Sequence, residues 1–64
     1  MDIQVILREE VKRIKWQEEI SFKTIAEDLL NMNYHAFINW LHGYKNLSIK
    51  KVLILQDFIN TMKD

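Results

Sequence analysis

Helix breakers are almost absent from this chain, which has no proline and only one glycine, Gly43, among 64 residues. Strands and hairpins in small domains are normally separated by glycine, proline and related turn residues, so their scarcity favours an all-α fold. The chain also has no cysteine, so neither a disulfide nor a thiolate metal site can reinforce a small core. We therefore expect residues 1–64 to form one domain that helix packing stabilises.

Five apolar residues near the start of the chain recur at the spacing of one helix face. They are Ile3, Leu7, Val11 and Ile14, with Ile6 flanking them. This spacing predicts a first helix over about Asp2–Trp16, followed by a polar connection over residues 17–19.

A second helix is predicted from near Phe22 to about Leu30. Ser21 can cap it by accepting a hydrogen bond from a free backbone N–H. Ile20 precedes this cap and Ile25 lies four residues beyond it, which is the arrangement of a hydrophobic staple.

A third helix is predicted after Asn33, whose side chain can cap it. Phe37, Trp40 and Leu41 supply its apolar positions. Gly43 should end the helix, because glycine readily adopts the left-handed conformation found after helix C-termini.

The same combination of cap and staple predicts a fourth helix over Ile49–Met62. Ser48 is its cap, and Leu47 and Val52 are placed to close over it. Four helices joined by short loops indicate a compact four-helix domain.

Charge is unevenly distributed along a chain whose formal net charge is zero. Residues 31–56 contain Lys45, Lys50 and Lys51 but no acidic residue. Net neutrality argues against a strong, indiscriminate nucleic-acid binder, whereas the acid-free run favours a local cationic surface. Met1 opens directly into an amphipathic segment, so we expect neither a signal peptide nor a membrane span, and a cytoplasmic location.

Residues 20–60 resemble the helix-turn-helix of Cro and lambda repressor-like regulators, small proteins common in phages and mobile elements. The segment "SFKTIAEDLL" is similar to the positioning helix of that family, "NYHAFINWLHGYKNLS" to its recognition helix and following loop, and "IKKVLILQDFI" to its fourth helix. Two departures concern the turn. Leu30 or Asn31 stands where the family usually has glycine, and the distance from Ala26 to Phe37 is one residue longer than usual.

The resemblance implies a transcriptional regulator that binds double-stranded DNA with its third helix in the major groove. The implied packing positions are Ala26, Leu29, Phe37, Trp40 and Leu41. The implied base-contacting side chains are Tyr34, His35, Ile38 and Asn39, and the implied phosphate contacts are Lys23, Lys45, Lys50 and Lys51. The same polar row could instead be an ordinary solvated face, and the lysines ordinary surface charges.

The fourth helix offers more apolar surface than a lone small domain needs. We expect Ile49, Val52, Leu53, Leu55, Ile59 and Met62 to form its buried face. Ile54 and Phe58 would form a second ridge that pairs two copies into a homodimer, with recognition helices about 34 Å apart.

Enzymatic interpretations find little support. His35 and His42 are seven residues apart, or roughly 10 Å along a helix, which is too far for the pair to share one metal ion unaided. No nucleophile motif or glycine-rich phosphate loop is present, so we expect no catalysis, metal or cofactor. The alternative to DNA binding is a small adaptor of the same fold that binds a protein partner.

Overall fold

Four α-helices joined by short loops make up residues 2–62, the part of the chain that the computed structural model describes. They are α1 (Ile3–Glu18), α2 (Phe22–Thr24), α3 (Tyr34–Leu41) and α4 (Ile49–Met62), and a π-helical turn, Ile25–Leu29, directly continues α2. Within this part of the chain there is no strand. The all-α prediction is therefore confirmed, and the predicted helix bounds agree to within two residues. None of these helices is both long enough and apolar enough to cross a membrane.

The predicted caps form at the three helix starts where they were expected. Ser21 Oγ accepts from the backbone N–H of Thr24 at 3.1 Å, and Ser48 Oγ accepts from that of Lys51 at 3.3 Å. At the start of α3, Asn33 Oδ1 accepts from the N–H of His35 at 2.7 Å. These side chains satisfy backbone donors that have no partner within their helix.

One continuous apolar core joins all the helices. Its buried members are Leu7, Val11, Ile14, Ile25, Ala26, Leu30, Phe37, Trp40, Leu47, Val52, Leu55 and Ile59. The predicted face of α1 needs one correction. Ile3 and Ile6 each remain more than a third exposed, and Gln4 is buried beside Leu7 instead. Gln4 can be buried because every polar atom of its side chain has a hydrogen-bond partner.

The predicted buried face of α4 is wrong at two positions. Ile49 is 75% exposed and Leu53 is 59% exposed. At 100° per residue they lie about 120° and 160° around the helix from the buried Leu55, which explains their exposure. Ile54 and Phe58 do not form the predicted exposed ridge together. Phe58 packs against the core, whereas Ile54 is 36% exposed.

Polar side chains of α1 hold the C-terminal end of α3 and the loop after it. Gln4 Nε2 donates to the carbonyl of Leu47 at 3.2 Å, and Gln4 Oε1 accepts from the N–H of Leu47 at 3.1 Å. Arg8 Nε donates to the carbonyl of Trp40 at 2.6 Å, and its guanidinium also reaches the carbonyl of Lys45 at 3.2 Å. The first half of α1 is therefore anchored to the C-terminal end of α3 and to the loop that follows it.

Candidate nucleic-acid interface

The second helical segment and α3 pack directly on each other around a small residue. Ala26 is fully buried, and its short side chain leaves room for a neighbouring helix. The rings of Phe22 and Phe37 lie 6.0 Å apart between their centroids, and the Phe37 ring lies 5.4 Å from that of Trp40. This aromatic contact joins α2 to α3 and fixes which side of α3 faces the core.

The turn between these two segments contains both positions at which the sequence departs from the expected helix-turn-helix pattern. Asn31 has φ +52° and so adopts the left-handed conformation that glycine otherwise supplies. The backbone N–H of Leu30 donates to the carbonyl of Ile25 at 3.0 Å, and that of Met32 to the carbonyl of Ala26 at 2.9 Å. These hydrogen bonds join residues that are five and six positions apart, whereas those of an α-helix join residues four positions apart. The turn is therefore wider, and it accommodates the one residue by which the distance from Ala26 to Phe37 exceeds the usual spacing.

The end of α3 is fixed by a Schellman motif. Gly43 has φ +87°, and its N–H donates to the carbonyl of Trp40 at 2.9 Å, while the N–H of Tyr44 donates to the carbonyl of Asn39 at 3.0 Å. This pair of bonds is the pattern expected where glycine follows a helix. The helix end predicted from Gly43 is confirmed.

Three exposed polar residues form what we call the outer face of α3: His35, Asn39 and His42, which directly follows the helix. His35 and Asn39 lie where the sequence predicted them. Tyr34 and Ile38 lie at the margin of this face, because both are half-buried and Ile38 packs against the core. His42 was missed, although its distance of seven residues from His35 already places it on the same side of the helix.

A groove of about 560 Å³ opens between the end of α1, the start of α2 and the start of α3. We call it the lysine groove, and its lining is Lys15, Ser21, Phe22, Lys23, Glu27, Asn33, Tyr34 and His35. Lys15 was not predicted, because the sequence does not show that α1 ends beside α3. Its Nζ lies 5.2 Å from the ring centroid of Phe22 and 5.2 Å from that of Trp16, an arrangement that favours a cation.

The four lysines predicted to contact phosphates do not meet at one place. Lys23 lines the lysine groove, whereas Lys50 and Lys51 line a second groove of about 230 Å³ beside Asn31. Lys45 is exposed in the loop after α3. The four lysines are therefore divided between two separate grooves and the loop after α3.

Comparison with known proteins does not identify a family. No protein-family model matches the chain, and neither the curated proteins nor the solved structures include a significant match.

Proposed function

We propose that this protein binds DNA sequence-specifically, with the outer face of α3 in the major groove, and regulates transcription. The observation that carries the proposal is the composition of that face. His35, Asn39 and His42 are exposed hydrogen-bonding side chains with no acidic residue among them. An α-helix with its side chains is about 10–12 Å wide, which matches a major groove about 12 Å wide.

Each side chain of this face suits a contact with a base edge. Asn39 can form a bidentate pair with the N6 and N7 atoms of adenine. His35 and His42 can each donate to, or accept from, base edges. Tyr34 and Ile38, at the margin, suit the edge of the groove, where the Ile38 side chain can contact a thymine methyl group.

Cations in two separate grooves next to α3 and its preceding turn suit contacts with DNA phosphates. Lys15 and Lys23 line the lysine groove, and Lys51 lines the groove beside Asn31. Lys45 follows α3 in an acid-free run of sequence. Because the net charge of the chain is zero, these few contacts would position the protein without producing strong binding to every sequence.

Substitutions on α3 should alter sequence preference. Once selection from random duplexes has supplied a preferred site, His35→Ala and Asn39→Ala should each weaken binding to it by about 1–3 kcal/mol. Binding to a scrambled duplex should hardly change, because only base contacts are lost. Asn60→Ala, an exposed asparagine on α4, is the matched control and should leave both affinities unchanged.

Substitution of a phosphate contact should have a different signature. Lys23→Ala should weaken binding to all duplexes alike and make the slope of log K against log salt shallower by about 0.9 per contact. Lys12→Ala, an exposed lysine on α1, is the control and should not change the slope.

Two results would overturn the proposal. One is the absence of duplex binding at low salt by the folded wild-type protein. The other is unchanged sequence preference in both His35→Ala and Asn39→Ala. Either result would favour the alternative, an adaptor whose partner is another protein.

A further inference from the structure

The side of α4 that faces away from the core combines aliphatic and charged residues in a symmetric order. It consists of Lys50, Leu53, Ile54 and Asp57, which we call the outer face of α4, and all four are exposed. Leu53 and Ile54 lie at its centre with 59% and 36% of their surface exposed. Lys50 gives the N-terminal end of this face a positive charge, and Asp57 gives the C-terminal end a negative charge.

This order is self-complementary when two copies of the helix run antiparallel. For a two-fold axis that passes between Leu53 and Ile54, Lys50 and Asp57 each lie 3.5 residues from the axis. At 1.5 Å per residue both are about 5 Å from it, so Lys50 of one copy lies opposite Asp57 of the other. Leu53 of each copy meets Ile54 of the other at the centre.

We propose that two copies of this chain form a homodimer through the outer face of α4 about that axis. A two-fold interface uses the same surface on both subunits, and this face supplies an apolar centre with a complementary charge pair at each end. The contact pairs Ile54 with Leu53 and not with Phe58, because Phe58 packs against the core of its own subunit.

Charge supports a second copy as the occupant of this face. Within residues 2–62 neither Lys50 nor Asp57 forms an ion pair in its own chain, so both are available to a neighbour. The chain has zero net charge, and two copies therefore meet without the long-range repulsion that keeps strongly charged proteins apart.

The area of the proposed interface sets the expected affinity of the dimer. One face of a 14-residue helix is smaller than the ~800 Å² per partner of a standard stable interface. We expect a reversible dimer with a micromolar dissociation constant. Lys50 then faces the partner subunit and not DNA, so the dimer and the DNA contacts of α3 can be tested separately.

Charge reversal tests the pairing without DNA. Sedimentation equilibrium of the wild type should show a monomer–dimer equilibrium below about 500 µM. Lys50→Asp and Asp57→Lys should each raise the dissociation constant about tenfold or more, because each places like charges opposite one another. The double variant Lys50→Asp/Asp57→Lys should restore dissociation to within about threefold of the wild type, because opposite charges face each other again.

The controls reverse exposed charges on α1, with Lys12→Asp and Glu9→Lys, and should not change association. Circular dichroism shows whether each variant remains folded, and only folded variants are compared. A wild type that stays monomeric at every concentration overturns the proposal. A dimer that neither single reversal weakens, or that the double reversal fails to restore, overturns it as well.

Discussion

The indole Nε1 of Trp40 donates a hydrogen bond of 2.8 Å to Oε1 of Gln4, which lies 36 residues earlier in the chain. The same oxygen accepts from the N–H of Leu47 at 3.1 Å. Gln4 is the one buried polar residue among residues 2–62. A single side chain thus joins α1 to the C-terminal end of α3 and to the segment that precedes α4.

Removal of this side chain should be costly. Gln4→Ala leaves three groups without partners, the indole N–H of Trp40 and the N–H and carbonyl of Leu47, at about 1–3 kcal/mol for each unsatisfied group. We expect a loss of roughly 3–9 kcal/mol, comparable with the whole stability of so small a domain. Trp40→Phe removes one donor of the network and leaves a small cavity in the core, and it should cost less than Gln4→Ala, so it can be measured if Gln4→Ala fails to fold.

Urea unfolding measures this effect, with Gln17→Ala as the control. Gln17 is exposed and binds only Arg13 on the surface of α1, so its loss should change stability by no more than about 0.5 kcal/mol. Equal effects of the two glutamine substitutions would contradict the role assigned to Gln4.

Two arginines of α1 should differ in their contribution to stability. Arg8→Gln removes the bonds to the carbonyls of Trp40 and Lys45 and should cost about 1–2 kcal/mol. Arg13→Gln removes only a partly exposed pair with Glu10 and a surface bond to Gln17, both within α1, and should cost less than about 0.5 kcal/mol. Thermal unfolding of both variants gives the comparison, and a larger loss for Arg13 would contradict it.

Because Asn31 has the left-handed conformation, glycine should be tolerated better than alanine at this position, which is the reverse of their order inside an ordinary helix. Asn31→Gly should remain within about 0.5 kcal/mol of the wild type, whereas Asn31→Ala should cost about 1 kcal/mol, because alanine is strained at φ +52°. At the exposed helical position Glu9 the order should reverse, with alanine about 1 kcal/mol more stable than glycine. Denaturant midpoints of the glycine and alanine variants at Asn31 and at Glu9 test both comparisons. A higher stability of Asn31→Ala than of Asn31→Gly would contradict the left-handed conformation of Asn31.

The π-helical turn should tolerate loss of one residue. Deletion of the exposed Asp28 shortens the wide turn to ordinary α-helical spacing, so the domain should stay folded with a melting temperature within about 8 °C of the wild type. Deletion of Ala36 from α3 is the control. It rotates Phe37 and Trp40 by about 100° relative to the preceding turn and should unfold the protein. Circular dichroism distinguishes the two, and unfolding of the Asp28 deletion would contradict the prediction.

The features predicted correctly from the sequence depend on neighbouring residues. Ser21 and Asn33 cap the helices that follow them, and Gly43 ends α3, because each acts within a few residues. Contacts between distant segments could not be predicted in this way. Nothing near Gln4 in the sequence shows that its partners lie 36 and 43 residues later, and Lys15 becomes part of the lysine groove only when α1 packs beside α2 and α3.

Arg8 also places a positive charge at the C-terminal end of α3. A helix normally has partial positive charge at its N-terminus and partial negative charge at its C-terminus. Here the guanidinium of Arg8 donates to the carbonyl of Trp40 at the C-terminal end, where a positive charge interacts favourably with the partial negative charge of roughly −0.5. The negative end of the α3 dipole is therefore offset by a cation that belongs to α1.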